Sequence, residues 1–187
     1  MKFIETTLPG LYLIEPYRID DSRGFFSEIF RDDFLKEQGI PLHFVQENAV
    51  YSSQTGVLRG LHYQSPPHAQ AKLVRVSRGA IWDIVVDIRV DSPTYGQWLG
   101  FELSPENHRQ LLIPVGFAHG YVTLKPETEV IYKVSDYYAP QANKGVLWND
   151  PELNIDWKLA GRNPVISPND HTHPSFNQLD SEFTFQP

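Results

Sequence analysis

The sequence predicts an all-β chain built as a sandwich or jelly roll, and three observations carry that reading. Short β-prone runs recur along most of the 187 residues with turn-forming clusters between them. A composition of 13% aromatic residues with 15 prolines favours strands and ordered turns over a helical bundle. The run Ile81–Arg89 alternates, so that Trp82, Ile84, Val86 and Ile88 share one face, read as core, while Asp83, Asp87 and Arg89 share the other.

Taken in order, apolar alternation marks strands at 11–14 and 25–30, joined through a turn at Asp20-Asp21-Ser22-Arg23-Gly24. A short helix follows, with Asp32 or Asp33 as its cap, Phe34 to Gln38 as its body and Gly39 as its stop. Further strands are expected at 44–49, 57–63, 71–78, 81–90, 98–103, 110–113, 120–124 and 128–134, with turn signals such as Ser92-Pro93-Thr94-Tyr95-Gly96 between them. After about Trp157 no period is strong, and the tail reads as extended chain with a short helix at most.

A chain of this length fits a single domain with room for a sizeable core. The net charge of −7 and the lack of a Lys/Arg-rich run argue against nucleic acid as a partner. No run approaches the roughly 18 apolar residues of a membrane span, and Met1-Lys2-Phe3-Ile4-Glu5 lacks the apolar stretch of a secretory signal, so a cytoplasmic protein is expected. With no cysteine there is no disulfide, thiolate metal site or cysteine nucleophile, while His, Asp and Glu remain available as metal ligands.

The richest segment is Gly56 to Gln64, where Arg59 and His62 lie three apart on a predicted strand. They would face opposite sides unless Gly60 marks a bulge that turns both toward one cavity, an arrangement suited to an anionic ligand beside a base. Lys72 shares a strand face with Val74 and Val76, which puts it either at a solvated strand end or in a pocket that needs an anionic partner. Tyr132, between Val130 and Val134 on one face, reads on its own as a core tyrosine. Asp170-His171-Thr172-His173 reads as a polar tail loop in preference to a surface metal site.

In Pro114-Val115-Gly116-Phe117-Ala118-His119-Gly120 a Pro-x-Gly turn delivers a histidine to a strand, which resembles the second motif of the cupin superfamily. Metal-binding cupins set that histidine beside a glutamate seven residues before a glycine. Here Lys72 holds that spacing before Gly79, and an ammonium repels a cation, so no catalytic metal is expected there. The resemblance then narrows to the RmlC-type dTDP-4-dehydrorhamnose 3,5-epimerases. It rests on Asp21 to Glu28, Gln46-Glu47-Asn48, Gly56 to Gln64, Val86-Asp87-Ile88-Arg89 with Ser92-Pro93-Thr94, Gly116 to Gly120, Tyr137-Tyr138 and Trp148-Asn149-Asp150-Pro151.

That resemblance implies a cupin-like jelly-roll barrel with short peripheral helices: dimer-exchanging strands over about 1–50, the barrel over about 51–150 and a C-terminal extension over about 151–187. It implies a homodimer that epimerises a nucleotide-linked 4-keto sugar at C3 and C5 without a cofactor or a metal. His62 matches the family's base with Asp170 behind it, Tyr132 its proton donor, and Lys72, assisted by His119, the cation beside the enolate oxygen. Arg59 resembles the diphosphate ligand, Gln46 and Asn48 supply uncharged donors, Arg23, Phe26 and Glu28 match a nucleotide-binding segment lent partly across the dimer, and Tyr138 matches an aromatic stacked on thymine. The family usually has Glu and Lys where this chain has Asn143 and Asn169, which bears on sugar choice. Epimerisation at one carbon of a related nucleotide sugar and a non-catalytic sugar-binding cupin are the other readings.

Overall fold

The computed structural model describes residues 1–186 and consists almost entirely of antiparallel sheet. Its strands are β1 (Lys2–Glu5), β2 (Tyr12–Glu15), β3 (Arg18–Asp21), β4 (Gly24–Ser27), β5 (Gln46–Ser52), β6 (Leu58–Gln64), β7 (Lys72–Arg78), β8 (Ile81–Asp87), β9 (Trp98–Leu103), β10 (Gln110–Ile113), β11 (Phe117–Thr123), β12 (Thr128–Val134) and β13 (Asn143–Gly145). One sheet runs β1-β2-β10-β7-β12-β5 and a second β13-β6-β11-β8-β9, while β3 and β4 form a separate hairpin. Sequence neighbours β6, β7 and β8 alternate between the two sheets, as a jelly roll requires. No helix among the described residues is long and apolar enough to cross a membrane.

The predicted elements are present with shifted ends. Strand β5 continues to Ser52 because β12 pairs with it as far as Thr128, and Phe44 instead stacks edge-on against Phe30. Strand β11 begins at Phe117, so His119 lies inside it rather than at its start. The first turn closes two residues later than expected: Asp20 and Asp21 pair within the hairpin, and the Asp21 carboxylate accepts the Arg23 backbone N–H at 2.8 Å. Helix α1 (Asp32–Glu37) has Arg31 rather than an aspartate at its cap, and Asp32 and Asp33 face the positive end of the helix dipole from the first turn. Gly39, at φ +71°, turns the chain out of the helix. Strands β1, β3 and β13 have too few apolar residues in period to announce themselves.

The largest difference concerns β8, both of whose faces are buried. Ile81 and Val85 point between the sheets and meet Val74, Val76, Leu111, Phe117 and Val130. Ile84, Val86 and Ile88, the face read as core, pack instead under the tail, against Leu153, Trp157, Phe176 and Phe183. The tail is extended chain with one-turn 3-10 helices at Asn169–His171 and Phe176–Gln178. Asp83 and Asp87 are therefore fully enclosed, which a carboxylate tolerates only when paired. Asp87 accepts from Arg89 at 2.7 Å and from Ser92 and Thr94. Burial raises its pKa, and these donors outweigh that to hold it below the usual carboxylate range.

Candidate active site

A cavity of about 470 Å³ opens between the sheets, and Arg59, His62, Lys72, His119, Tyr132 and Asp170 all line it. The first two share it because of a bulge. His62 pairs with His119 and Arg59 with Tyr121, so the three-residue step on β6 spans a two-residue step on β11. Gly60, at φ +131°, makes the step possible: a Cβ there would stand 2.5 Å from Gly120 Cα and 2.9 Å from the His119 carbonyl oxygen. This is the bulge that the glycine between Arg59 and His62 predicts.

Asp170 reaches the cavity because the tail runs beside β6, with the Leu58 N–H donating to the Val165 carbonyl and the Val165 N–H to the Gly56 carbonyl. The 3-10 turn then sets its carboxylate 2.8 Å from His62 Nε2, and the second oxygen accepts the Gly60 N–H at 3.3 Å. Burial pushes the Asp170 pKa up, but the bonds from His62, Gly60 and Ser167 together hold it below its ordinary value. An ionised Asp170 fixes the proton of a neutral His62 on Nε2 and leaves Nδ1 with a lone pair.

The opposite wall carries Tyr132 on β12 and Lys72 at the head of β7. Desolvation lowers the Lys72 pKa to about 8 against the opposing pull of Asp83, so its position is a pocket and not a solvated strand end. Burial raises the Tyr132 pKa while Arg59 draws it down, and the phenol keeps its proton at neutral pH. No carboxylate among the described residues forms an ion pair with Arg59 or Lys72, so both cations line the cavity without a salt-bridge partner in a chain of net charge −7. His119 Nε2 meets Asp83 at 2.8 Å, and its burial depresses its pKa more than Asp83 restores it.

Gln46 and Asn48 lie on the face of β5 that also carries Val50 of the cavity wall, and Asn48 pairs with Tyr132 in register. Gln46 donates to Asn48 at 2.8 Å and accepts the Tyr138 N–H at 3.4 Å, which joins the three into one rim with Tyr138 exposed. Arg23, Phe26 and Glu28 are not brought to this cavity. They sit on and just after the β3–β4 hairpin, where Phe26 is 69% exposed and Arg23, among the described residues, pairs only with Asp21 at 2.6 Å. Asn143 and Asn169 are exposed, one on β13 and one beside Asp170.

Sequence reasoning overlooked Tyr121, placed Asp83 on the face away from the core and read His173 as part of a polar tail loop. Tyr121 lines the cavity with its hydroxyl buried and unpartnered among the described residues, and its place two residues after His119 on one strand face was the available signal. Asp83 gave a signal as a lone carboxylate inside an apolar run. His173 is no part of a solvated loop: its ring packs edge-on against His62 with centroids 5.5 Å apart.

The family model for dTDP-4-dehydrorhamnose 3,5-epimerase matches residues 5–178. The chain belongs to that family. A dTDP-4-dehydrorhamnose 3,5-epimerase from Sinorhizobium fredii is 43% identical over 185 residues, covering 99% of this chain and 94% of that one. The crystal structure of the Legionella pneumophila enzyme RmlC, in complex with dTDP-4-keto-L-rhamnose, superposes with a TM-score of 0.93 at 45% identity, covering 100% of this chain and 99% of that chain. The Bacillus anthracis enzyme, with TDP and PPi bound, gives a TM-score of 0.89 at 49% identity over 93% of this chain and 98% of that chain.

Proposed function

We propose that this chain is a dTDP-4-dehydrorhamnose 3,5-epimerase that inverts C3 and C5 of dTDP-4-dehydro-6-deoxy-D-glucose. The observation that carries the reading is His62 on one sheet, backed by Asp170 from the tail, facing Tyr132 on the other sheet across a cavity lined by Arg59 and Lys72. A ketone at C4 acidifies the protons on both adjacent carbons, so one base can serve both centres and no redox step is needed. His62 Nδ1 takes the proton, and ionised Asp170 stabilises the imidazolium that forms. Negative charge then moves to O4, where the Lys72 ammonium and His119 stabilise it in a site partly closed to water. Tyr132 returns a proton from the opposite wall, which yields the inverted centre.

Two cations without salt-bridge partners suit a diphosphate, for which the planar fork of Arg59 is well shaped. We further propose a cytoplasmic homodimer. The exposed Tyr17, Ile19, Phe25 and Phe26 give the hairpin an apolar surface to lay against a second copy, which would bring Arg23, Phe26 and Glu28 to the partner's cavity.

Incubation with dTDP-4-dehydro-6-deoxy-D-glucose in heavy water, followed by NMR, tests the reaction. Deuterium at C3 and C5 with inversion at both is expected. Label at one carbon supports the single-centre alternative, and no label overturns the enzyme reading. Tyr138→Ala is expected to weaken dTDP binding by about 1–3 kcal/mol, the usual worth of a base stack, with little change in the rate from the bound state. An unchanged dissociation constant by calorimetry would put the nucleotide elsewhere.

The Lys72 pKa of about 8 sets the alkaline limb of kcat/KM. Activity is expected to fall as pH rises through about 8 because the ammonium at O4 is lost, and Lys72→Met should give a slower enzyme without that limb. The stability effect has the opposite sense. Burying the charged amine costs stability below about 8, and that cost fades as pH climbs toward the ordinary lysine value of 10.5, so this group makes the protein more stable over that window. An alkaline limb that persists in Lys72→Met would assign it to another group.

A further inference from the structure

We propose that His62, Asp170 and His173 form a site for a divalent transition cation of the zinc type, whose binding inactivates the base by relocating its ring proton. The inactivation rests on the role proposed above for His62; the binding site does not. One ligand atom from each of the three side chains lies within 4.8 Å of the other two. His62 Nε2 is 2.8 Å and His173 Nε2 3.8 Å from the same Asp170 oxygen. His173 Nε2 is buried with no hydrogen-bond partner among the described residues, so it is a free donor atom turned toward the pair. Its ring fits because residue 145 is glycine: a Cβ there would stand 2.5 Å from that nitrogen.

Two imidazoles and a carboxylate suit zinc-like ions better than magnesium or calcium, which prefer all-oxygen shells. Zinc bonds to nitrogen and oxygen are about 2.0–2.2 Å, so tetrahedral ligand atoms stand roughly 3.3–3.6 Å apart. The 2.8 and 3.8 Å separations from the Asp170 oxygen bracket that spacing, and all three ligand atoms lie within 4.8 Å of one another, so binding an ion requires side-chain rotations that draw them together. With one-third of its side chain exposed on the cavity, His62 is open to an ion from solvent.

Inactivation follows from the imidazole's single proton. In the free pair Nε2–H donates to Asp170, and Nδ1 holds the basic lone pair. A cation takes the Nε2 lone pair and the Asp170 oxygen. The ring proton leaves Nε2 through solvent and Nδ1 gains one, so the ring stays neutral and releases no net proton. An Nδ1–H cannot accept a proton from a sugar carbon.

The test uses the intact protein, freed of metal by a chelator and titrated with zinc chloride. Affinity is read by competition with a chromophoric chelator, the tautomer by long-range ¹⁵N–¹H NMR of labelled histidine, and activity by epimerisation rate. One zinc per chain is expected, with His62 passing from Nε2–H to Nδ1–H, a parallel fall in rate, and recovery on adding chelator. His173→Gln, with its fold checked by a melting curve, should bind zinc at least about tenfold more weakly, while the exposed His171→Gln binds it like the wild type. Absence of stoichiometric zinc, or undiminished zinc affinity in His173→Gln, overturns the site. In the wild type, zinc that leaves His62 with its proton on Nε2 overturns the relocation, whatever the variant's folding. A protein that binds zinc with the tautomer change but has no epimerase activity without it would leave the site standing and remove the proposed function.

Discussion

His62→Ala is expected to abolish hydrogen exchange at both C3 and C5 while leaving affinity for dTDP nearly unchanged. The two quantities separate because the groups do. His62 reaches the cavity from β6 with Asp170 behind it, whereas the rim of Tyr138, Gln46 and Asn48 sits at the β5–β12 edge of the other sheet. A positioned general base is worth about 10²–10⁴-fold, and among the described residues the one other imidazole lining this cavity is His119. His119 does not substitute, since its ring is buried and that burial holds its pKa below the ordinary histidine value, which makes it the weaker base. Asp170→Asn should lose activity on the same scale with the ring still present, because an amide neither stabilises the imidazolium nor fixes the tautomer. Exchange measured by NMR in heavy water and dTDP binding by calorimetry check both variants. Exchange at near wild-type rate in His62→Ala would remove the residue from its role.

How much of this was legible in the sequence depended on whether the deciding interaction is local. The β6 bulge was readable because its cause, a glycine between two chemistry-bearing residues, lies within the segment. The pocket around Lys72 could be posed from strand periodicity but not decided, since what desolvates it comes from the facing sheet. Asp170 pairs with His62 across 108 residues of chain, and only the family resemblance pointed to it. Asp83 was assigned to the wrong kind of face because alternation distinguishes two faces without telling what covers each. The tail that buries the outer face of β8 has no period of its own. His173 was misread for the same reason, as its burial depends on Gly145 and His62 and not on its polar neighbours.

Tyr132→Phe is expected to separate exchange from inversion. The phenol stands on β12, on the sheet opposite His62, in a half-buried position that keeps its proton on at neutral pH. If His62 removes a proton from one side and Tyr132 delivers one from the other, the variant retains the base and the Lys72 cation. An enolate still forms, and His62 returns solvent-derived deuterium to the side it came from, so label enters the starting sugar without changing its configuration. Net epimerisation should fall by about 10²–10⁴-fold, the worth of a general acid, while wash-in falls far less. Phenylalanine keeps the ring that packs against the inter-sheet core, so stability should change little, and a melting curve serves as the control. Equal loss of exchange and inversion would instead assign Tyr132 to stabilising the enolate. Undiminished inversion would mean that another acid reaches that face, and Tyr121, whose hydroxyl opens on the same cavity without a partner, is the side chain to replace next.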